Sequence, residues 1–277
     1  MDARALPPLA ADYEITDEHV AQFWRDGFIV LRGVLSVEEI AAYGQAIRDA
    51  AMVFFKRYNM EPAKHGGFLQ RKLNLRCEFE EVRRFCLAPR FGRIAARLMK
   101  MRAVRIFHDQ PLFKHPGAAE SAWHQDQYYW PLATDRSLGM WMPLIDCTNK
   151  MGSIRFVVGS HRFGDLNGGA ISTDSAGFFD RIIEREQLSL FQTEFLAAGD
   201  CTFHSGWTIH GAPANDSDRM REAMIVTFYP DGTRVGELNT PKRVGDAKVF
   251  LGGRDSGQPA DSELNTVVYR ETRPTDS

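Results

Sequence analysis

Hydrophobic and polar positions alternate with a helical period in the first third of the chain and with a strand-like period after it. A short amphipathic helix ends at Gly27, and a longer one begins at the capping box formed by Ser36 and Glu39. Apolar residues recur at three- and four-residue spacing along that longer helix, which is typical of a face packed against a core. The helices predicted in this part span residues 17–26, 36–54, 78–87 and 89–99.

From Arg102 onward, short apolar runs separated by turn residues replace the helical pattern, apart from one possible helix over 176–188. The predicted strands cover 103–108, 110–115, 121–129, 138–146, 152–158, 191–196, 201–204 with 208–210, and 222–229. Eight strands after a helical lead-in predict a mainly β protein with N-terminal helices and a jelly-roll (cupin-like) core. Two such sheets enclose a cavity into which strand residues can point.

The chain shows no internal repeat, low-complexity tract or clear linker. We therefore predict a single domain over residues 1–277. In this interpretation residues 1–100 are mostly helical, residues 101–230 form the jelly-roll core, and residues 231–277 are an irregular tail with one strand at 267–269.

Composition narrows the class of protein. The 277 residues are 44% hydrophobic and 25% charged, and the formal net charge of -2 gives no reason to expect nucleic acid or an anionic membrane as a partner. No apolar run could cross a bilayer, and the first residues lack the apolar core of a signal peptide. The four cysteines have no C-x-x-C spacing and are expected to be reduced thiols. We expect a cytoplasmic protein, monomeric or homodimeric, that acts on a small molecule.

The stretch with the strongest chemical pattern is His124-Gln125-Asp126. In an extended strand, residues i and i+2 project from the same face, so this pattern places an imidazole nitrogen beside a carboxylate oxygen. A second histidine would complete a 2-His-1-carboxylate site, which leaves positions open on Fe(II) for a co-substrate and O2. Taken alone, the pattern occurs by chance in many chains, and a surface strand with unrelated polar residues is then the preferred explanation.

The second histidine is sought late in the domain, where His204 and His210 both lie in predicted strands. The sequence does not separate the two cleanly. His210 has the stronger context, because Gly211 permits a close backbone approach and Arg221 follows at a useful distance.

Arg221 opens the strand that follows the turn over residues 212–218, so it would return antiparallel beside His210. The planar fork of an arginine suits the distal carboxylate of a dicarboxylate co-substrate. The alternative is a surface cation paired with Asp216 or Asp218, and for Arg219 we prefer that alternative.

Several motifs in order resemble those of the phytanoyl-CoA dioxygenase family, whose members are Fe(II)- and 2-oxoglutarate-dependent oxygenases. They are the opening run 23–35, His124-x-Asp126, the segment 152–161, Gly199-Asp200, His210-Gly211 and Arg221. The resemblance covers roughly residues 20–230. It implies a double-stranded β-helix fold and the hydroxylation of an unactivated C–H bond, with desaturation or cyclisation as variants, and with release of succinate and CO2.

The same resemblance implies roles for individual residues. His124, Asp126 and His210 would be the iron ligands, and Arg221 would bind 2-oxoglutarate with help from Trp141, Gln110 and Ser153. Trp130 occupies a position where relatives place an aromatic residue near the iron and the substrate, and His204 is given a structural role.

The substrate is predicted less directly. The cavity mouth is expected from residues 66–72, 113–116, 128–130 and 162–186, with Phe113, Tyr128, Trp130 and Arg71 as substrate contacts. Arg71, Lys72, Lys114 and Arg155 are more often solvated surface residues than ligands of a substrate anion. We predict a small apolar or amphipathic metabolite in a tailoring step of secondary metabolism. Alternatives are an acyl-CoA hydroxylase, a catalytically silent metal-binding relative, and a cupin-like zinc or manganese enzyme that has no use for Arg221.

Overall fold

The structure, a computed structural model, describes residues 6–60, 67–70, 74–169 and 173–272. The first four predicted helices are present, each within a few residues of its predicted ends. The helices are α1 (Asp17–Asp26), α2 (Val37–Arg57), α3 (Glu80–Cys86), α4 (Pro89–Met99), α5 (Thr173–Arg185) and α6 (Pro241–Phe250). The capping box at the start of α2 forms as predicted, because the Ser36 hydroxyl accepts from the backbone N–H of Glu39 and the Glu39 carboxylate accepts from that of Ser36.

The strands form two antiparallel sheets and one short strand pair. They are β1 (Phe28–Leu31), β2 (Phe68–Gln70), β3 (Ala103–Lys114), β4 (Ser121–His124), β5 (Leu138–Pro143), β6 (Cys147–Thr148), β7 (Arg155–Val157), β8 (Leu190–Gln192), β9 (Phe195–Leu196), β10 (Cys201–Ser205), β11 (His210–Ala212), β12 (Arg221–Pro230) and β13 (Val267–Arg270). The seven-stranded sheet has the order β1-β10-β5-β12-β3-β13, with β2 also paired to β3. The four-stranded sheet has the order β4-β11-β7-β8, and β6 pairs with β9.

The seven-stranded sheet has a helix-covered outer face and an inner face that lines a cavity. Its strands alternate accordingly: in β5, Met140 and Met142 pack in the core shared with the N-terminal helices, whereas Trp141 points into the cavity. The helical segment and the sheet therefore share one hydrophobic core. The predicted mainly β architecture with N-terminal helices and a jelly-roll core is confirmed.

Several predicted elements differ from the observed ones. Residues 103–108 and 110–115 form the single strand β3, and 191–196 is divided between β8 and β9. The strand predicted over 121–129 ends at His124, where a 3-10 turn over Asp126–Tyr128 begins to bend the chain. The predicted irregular tail contains α6, and its strand β13 pairs with β3.

No helix among the described residues combines the length and the apolar character that a membrane span requires.

Candidate metal and co-substrate site

A cavity of about 710 Å³ lies between the inner faces of the two sheets. Most of the site residues predicted from the sequence line this cavity. Its lining comprises Phe68, Gln110, Leu112, Glu120, Ser121, Ala122, His124, Asp126, Tyr129, Trp141, Ile154, His204, His210, Gly211, Ala212, Arg221, Ile225 and Lys242.

His124 and His210 face each other across the pairing of β4 and β11, where they are register partners. Their ring centroids are 4.2 Å apart. Each Nδ1 lies 2.9 Å from a backbone carbonyl oxygen two residues earlier in the chain, Ala122 for His124 and Thr208 for His210. Because a carbonyl can only accept, each Nδ1 carries the proton and each Nε2 presents a lone pair to the cavity.

Asp126 completes the cluster from the 3-10 turn that follows β4. Its two carboxylate oxygens each lie 3.6 Å from one imidazole Nε2, Oδ1 from His124 and Oδ2 from His210. The candidate ligand atoms of the three residues lie within 4.8 Å of one another. The sequence pattern identified this grouping, but a shared strand face is not its cause. The strand ends at His124, and the turn brings the carboxylate back toward the ring.

Electrostatics favour an anionic Asp126 carboxylate beside a neutral His210 imidazole. Burial alone would raise the pKa of Asp126, but His210, His204 and His124 together hold that pKa well below its usual range. Burial, with a contribution from His204, lowers the pKa of His210 to about 4. At neutral pH, Asp126 is therefore a charged oxygen donor and His210 a neutral nitrogen donor.

This donor set fits a divalent iron ion. Two imidazole nitrogens and one carboxylate on one side of an open cavity are typical of non-haem Fe(II) oxygenases, in which other coordination positions stay available to small ligands. The carbonyl partners of both Nδ1 atoms orient the rings before any metal arrives.

A third histidine stands closer to this cluster than the sequence indicated. The Nε2 of His204 lies 3.4 Å from Asp126 Oδ2, and the His204 and His210 rings are 4.4 Å apart. His204 is buried on β10 and lines the cavity, while its Nδ1 has no hydrogen-bond partner. The structural role of His204 stays a prediction. Its Nε2 contacts Asp126 Oδ2, the same carboxylate oxygen that faces His210.

Arg221 lies at the start of β12 in the same cavity and is 1% exposed. Its Nη1 donates to the Gly152 carbonyl at 2.9 Å, and its guanidinium carbon is 5.6 Å from the centre of the Trp141 ring. Its Nε is buried without a hydrogen-bond partner. Burial lowers the pKa of Arg221 to about 10, which leaves it charged at neutral pH. Gln110, on β3, also lines the cavity, as predicted.

Four predicted contacts lie outside the cavity lining, namely Phe113, Ser153, Tyr128 and Trp130. Phe113 is wrong as a substrate residue: it packs edge-on against Phe55 in the helical core, because side chains alternate along β3 and Leu112 takes the cavity side. Ser153 is buried outside the lining, where its hydroxyl accepts from Gln192. Arg71 lies outside the described residues.

The turn after Asp126 explains the remaining corrections. It directs Tyr129 into the cavity and Trp130 away from it, so that Trp130 packs with Phe107 beneath α6 and is 1% exposed. Tyr128 is half-buried and does not line the cavity either.

Sequence reasoning missed Glu120 and Lys242 as lining residues, and it included Tyr129 only within the predicted mouth segment 128–130 without singling it out. For Lys242 a signal was available: Thr240 caps α6 and Pro241 occupies its first turn, a common helix start. Tyr129 had no such signal, because its direction depends on a turn that the alternating pattern concealed.

Comparisons with known proteins agree with this geometry. A family model described as phytanoyl-CoA dioxygenase (PhyH) matches residues 23–223. A probable alpha-ketoglutarate-dependent hypophosphite dioxygenase of Stutzerimonas stutzeri is 28% identical over 131 residues, which are 45% of this chain and 45% of that enzyme. The chain thus spans less than half of that relative's length. The multifunctional dioxygenase prhA of Penicillium brasilianum is 27% identical over 250 residues, covering 79% of this chain and 75% of that protein.

A solved structure shares the fold over most of its length. The epimerase SnoN, in complex with Fe3+, alpha ketoglutarate and nogalamycin RO, aligns with a TM-score of 0.73 and 23% identity, covering 90% of this chain and 96% of that one. Because the family model spans most of the sequence and includes the whole His/Asp/His cluster, the chain belongs to the phytanoyl-CoA dioxygenase (PhyH) family.

Proposed function

We propose that this protein is a non-haem Fe(II)- and 2-oxoglutarate-dependent dioxygenase that hydroxylates an unactivated C–H bond of a small metabolite. In this proposal His124, Asp126 and His210 hold the iron, and Arg221 binds the distal carboxylate of 2-oxoglutarate. One observation carries it: a single cavity contains a His/His/Asp cluster and a buried arginine whose Nε has no partner.

The enzyme class and the cofactors are confirmed by family membership, together with relatives whose names specify alpha-ketoglutarate dependence and a structural neighbour with Fe3+ and alpha ketoglutarate bound. When bound, iron supplies the centre at which O2 and 2-oxoglutarate are consumed to give succinate and CO2 while the substrate is oxidised. The chain's own residues keep the ligand rings oriented, place the co-substrate against Arg221 and exclude bulk water from the cavity.

The lining supports a small apolar or amphipathic substrate. Leu112, Ile154 and Ile225 supply an apolar wall, and Tyr129 supplies an aromatic ring beside the metal cluster. Apart from Arg221, Lys242 is the cation of the described lining, and it is paired with Asp246. That arrangement offers no cluster of cations for the phosphates of coenzyme A, so a tailoring step on a free metabolite is favoured over acyl-CoA hydroxylation. Hydroxylation is favoured over desaturation or cyclisation only because it is the reaction that the family implies.

The wider organisation is also part of the proposal. We infer that the chain works as a single oxygenase domain, in the cytoplasm, as a monomer or homodimer that requires neither nucleic acid nor a membrane. The core shared by the helices and the seven-stranded sheet supports the single domain.

The test uses the full-length protein reconstituted with Fe(II). Anaerobic addition of 2-oxoglutarate should produce a metal-to-ligand charge-transfer band, and admission of O2 with candidate substrates should release succinate in step with product. Asp126→Ala should lose both signals. A wild-type protein that binds Fe(II) but gives neither band nor succinate would be the catalytically silent relative instead. Succinate release that survives loss of Arg221 with an unchanged KM would contradict the assigned co-substrate site.

A further inference from the structure

A second buried cation lies beside the proposed co-substrate site. Lys114, at the end of β3, is the direct register partner of Arg221 on β12, so the two side chains leave the sheet on the same face. Lys114 is 0% exposed and Arg221 is 1% exposed. Like charges directly opposite each other destabilise a sheet, and burying an ammonium group without an anion costs more still.

Within the described parts of the chain, neither cation forms an ion pair with a carboxylate. The Lys114 ammonium donates to the Pro213 carbonyl and lies 5.1 Å from the centre of the Phe68 ring. The Arg221 guanidinium donates to the Gly152 carbonyl, with a longer contact of 3.5 Å to the Leu112 carbonyl. Two buried basic groups thus face carbonyl oxygens and a ring, and no carboxylate of the described residues is bonded to either of them.

The Lys114 ammonium does not line the cavity itself. Both cations approach Gly152, whose carbonyl accepts from Arg221. A Cβ at Gly152 would lie 3.2 Å from the Lys114 ammonium and 2.5 Å from the Pro213 carbonyl oxygen. Glycine at this position, with a φ of +71°, lets the ammonium and the guanidinium approach the same stretch of backbone.

We propose that Lys114 is a positioning residue of the co-substrate site, whose charge strengthens binding of a distal carboxylate at Arg221 and which takes up a proton when the dicarboxylate binds. The proposal rests on the proposed function, since 2-oxoglutarate supplies a carboxylate, and neither cation is paired with one among the described residues.

The surroundings of Lys114 determine the pH range in which proton uptake accompanies binding of the dicarboxylate. Burial, followed by Arg221, lowers the pKa of Lys114 to about 7, and Arg155 on β7 also lowers it, while Glu120 and Asp216 raise it. Without an anion, Lys114 is therefore only partly protonated near neutral pH. A bound carboxylate raises that pKa, so binding draws in a proton. Affinity is then highest at low pH and falls as the pH rises from about 7 to the raised pKa of the complex.

The experiment compares two ligands on the Fe(II) protein under anaerobic conditions. 2-Oxoglutarate carries the distal carboxylate, whereas 2-oxopentanoate has the same five-carbon chain and the same metal-chelating end but a methyl group instead. Calorimetry at pH 6.5, in buffers of different ionisation enthalpy, measures affinity and proton uptake together. Lys114→Met removes the charge and keeps an unbranched apolar chain. Lys248→Met, at an exposed position on α6, is the matched control.

We expect Lys114→Met to weaken 2-oxoglutarate about 10-fold at pH 6.5 and little at pH 9, because one unit of pKa shift corresponds to a tenfold change in affinity. Binding of 2-oxopentanoate should be unchanged, and Lys248→Met should bind both ligands as the wild type does. The wild type should take up part of a proton with 2-oxoglutarate beyond any uptake with 2-oxopentanoate.

Equal weakening of both ligands would show that Lys114 only supports the Pro213 turn, and it would overturn the proposal. So would equal proton uptake with the two ligands, a comparison that needs only the wild-type protein and survives a failure of the variant to fold. If the wild type binds 2-oxopentanoate but gains nothing from the distal carboxylate, both the assignment of Arg221 and this inference fail. If it binds 2-oxoglutarate selectively but without proton uptake, the inference about Lys114 alone fails.

Discussion

Replacing Arg221 by glutamine is the most direct test that this cavity binds 2-oxoglutarate. The guanidinium is 1% exposed and has one unpartnered nitrogen, so a carboxylate bound there would lose a charge-assisted contact in a buried setting. Removal of one member of such a buried pair typically costs about 3–5 kcal/mol. That corresponds to a rise of roughly 10²- to 5 × 10³-fold in the KM for 2-oxoglutarate.

The same substitution should leave the unliganded protein almost as stable as before. In the absence of ligand, the Arg221 charge is buried without a carboxylate partner among the described residues, so its loss removes a desolvation penalty along with the bond to Gly152. Wild-type protein with 2-oxoglutarate at 100 times its Kd should gain about 2.7 kcal/mol of stability. For a chain of this size, that gain is a rise in Tm of roughly 5–10 °C, which Arg221→Gln should lose.

The assays are succinate release against 2-oxoglutarate concentration, and thermal unfolding of the Fe(II) protein under anaerobic conditions. Arg219→Gln is the matched control, since that arginine is exposed two residues earlier in the chain. A KM within threefold of the wild type, or a ligand-induced rise in Tm that persists in Arg221→Gln, would refute the assignment.

Three further predictions follow from other parts of the structure. His210→Ala should abolish stoichiometric Fe(II) binding. His204→Ala should retain the ion with affinity lower by about 10- to 100-fold, because His204 contacts the Asp126 carboxylate and lies outside the group of three candidate ligands. Metal titration in both variants checks this, and the reverse result would exchange the two roles. Trp130→Ala should lower the free energy of unfolding by about 3–5 kcal/mol as a core truncation, while Tyr129→Ala should change substrate KM with a smaller loss of stability. Denaturant unfolding and steady-state kinetics separate these two effects. If Trp130→Ala changed the kinetics alone, Trp130 would be a substrate contact after all. Hydrogen bonds from Arg90 lower the pKa of Glu39, so the contribution of Glu39 to stability is present above the ordinary glutamate pKa and is lost as the pH falls through the lowered value. Glu39→Gln should lower the free energy of unfolding by about 1–2 kcal/mol at pH 7, and the free energies of wild type and variant should converge in acid. Denaturant unfolding across this pH range checks it, and a constant difference down to pH 2 would contradict this account.

The sequence predicted those features that depend on local periodicity. Capping residues and apolar spacing placed α2 and α4 within a few residues, because helix ends are determined by neighbouring side chains. The metal cluster could also be predicted. The resemblance selected His210 over His204 as the third candidate ligand, and the structure groups His210 with His124 and Asp126.

Features that depend on the direction of a turn were not predictable in this way. Tyr129 and Trp130 are adjacent and similar in sequence terms, yet the 3-10 turn after Asp126 directs one into the cavity and the other beneath α6. Lys114 was expected to be solvated, as most lysines are. Only the pairing of β2, β3 and β12 around it accounts for its burial, and that pairing joins distant parts of the chain.

The position of the largest hydrophobic core has a consequence for how this family diversifies. That core lies between the helices and the outer face of the seven-stranded sheet, on the side away from the cavity. Because so much of the buried apolar surface is there, the inner face can carry groups that weaken the fold, such as Arg221 and Lys114. Ile154 and Ile225 line the cavity and also pack in the smaller apolar cluster around Trp141, so their exchange changes the shape of the cavity without touching the largest core. A scaffold divided in this way lets descendants of one ancestor acquire new substrates through a few inner-face replacements, while the same iron and co-substrate machinery is inherited intact.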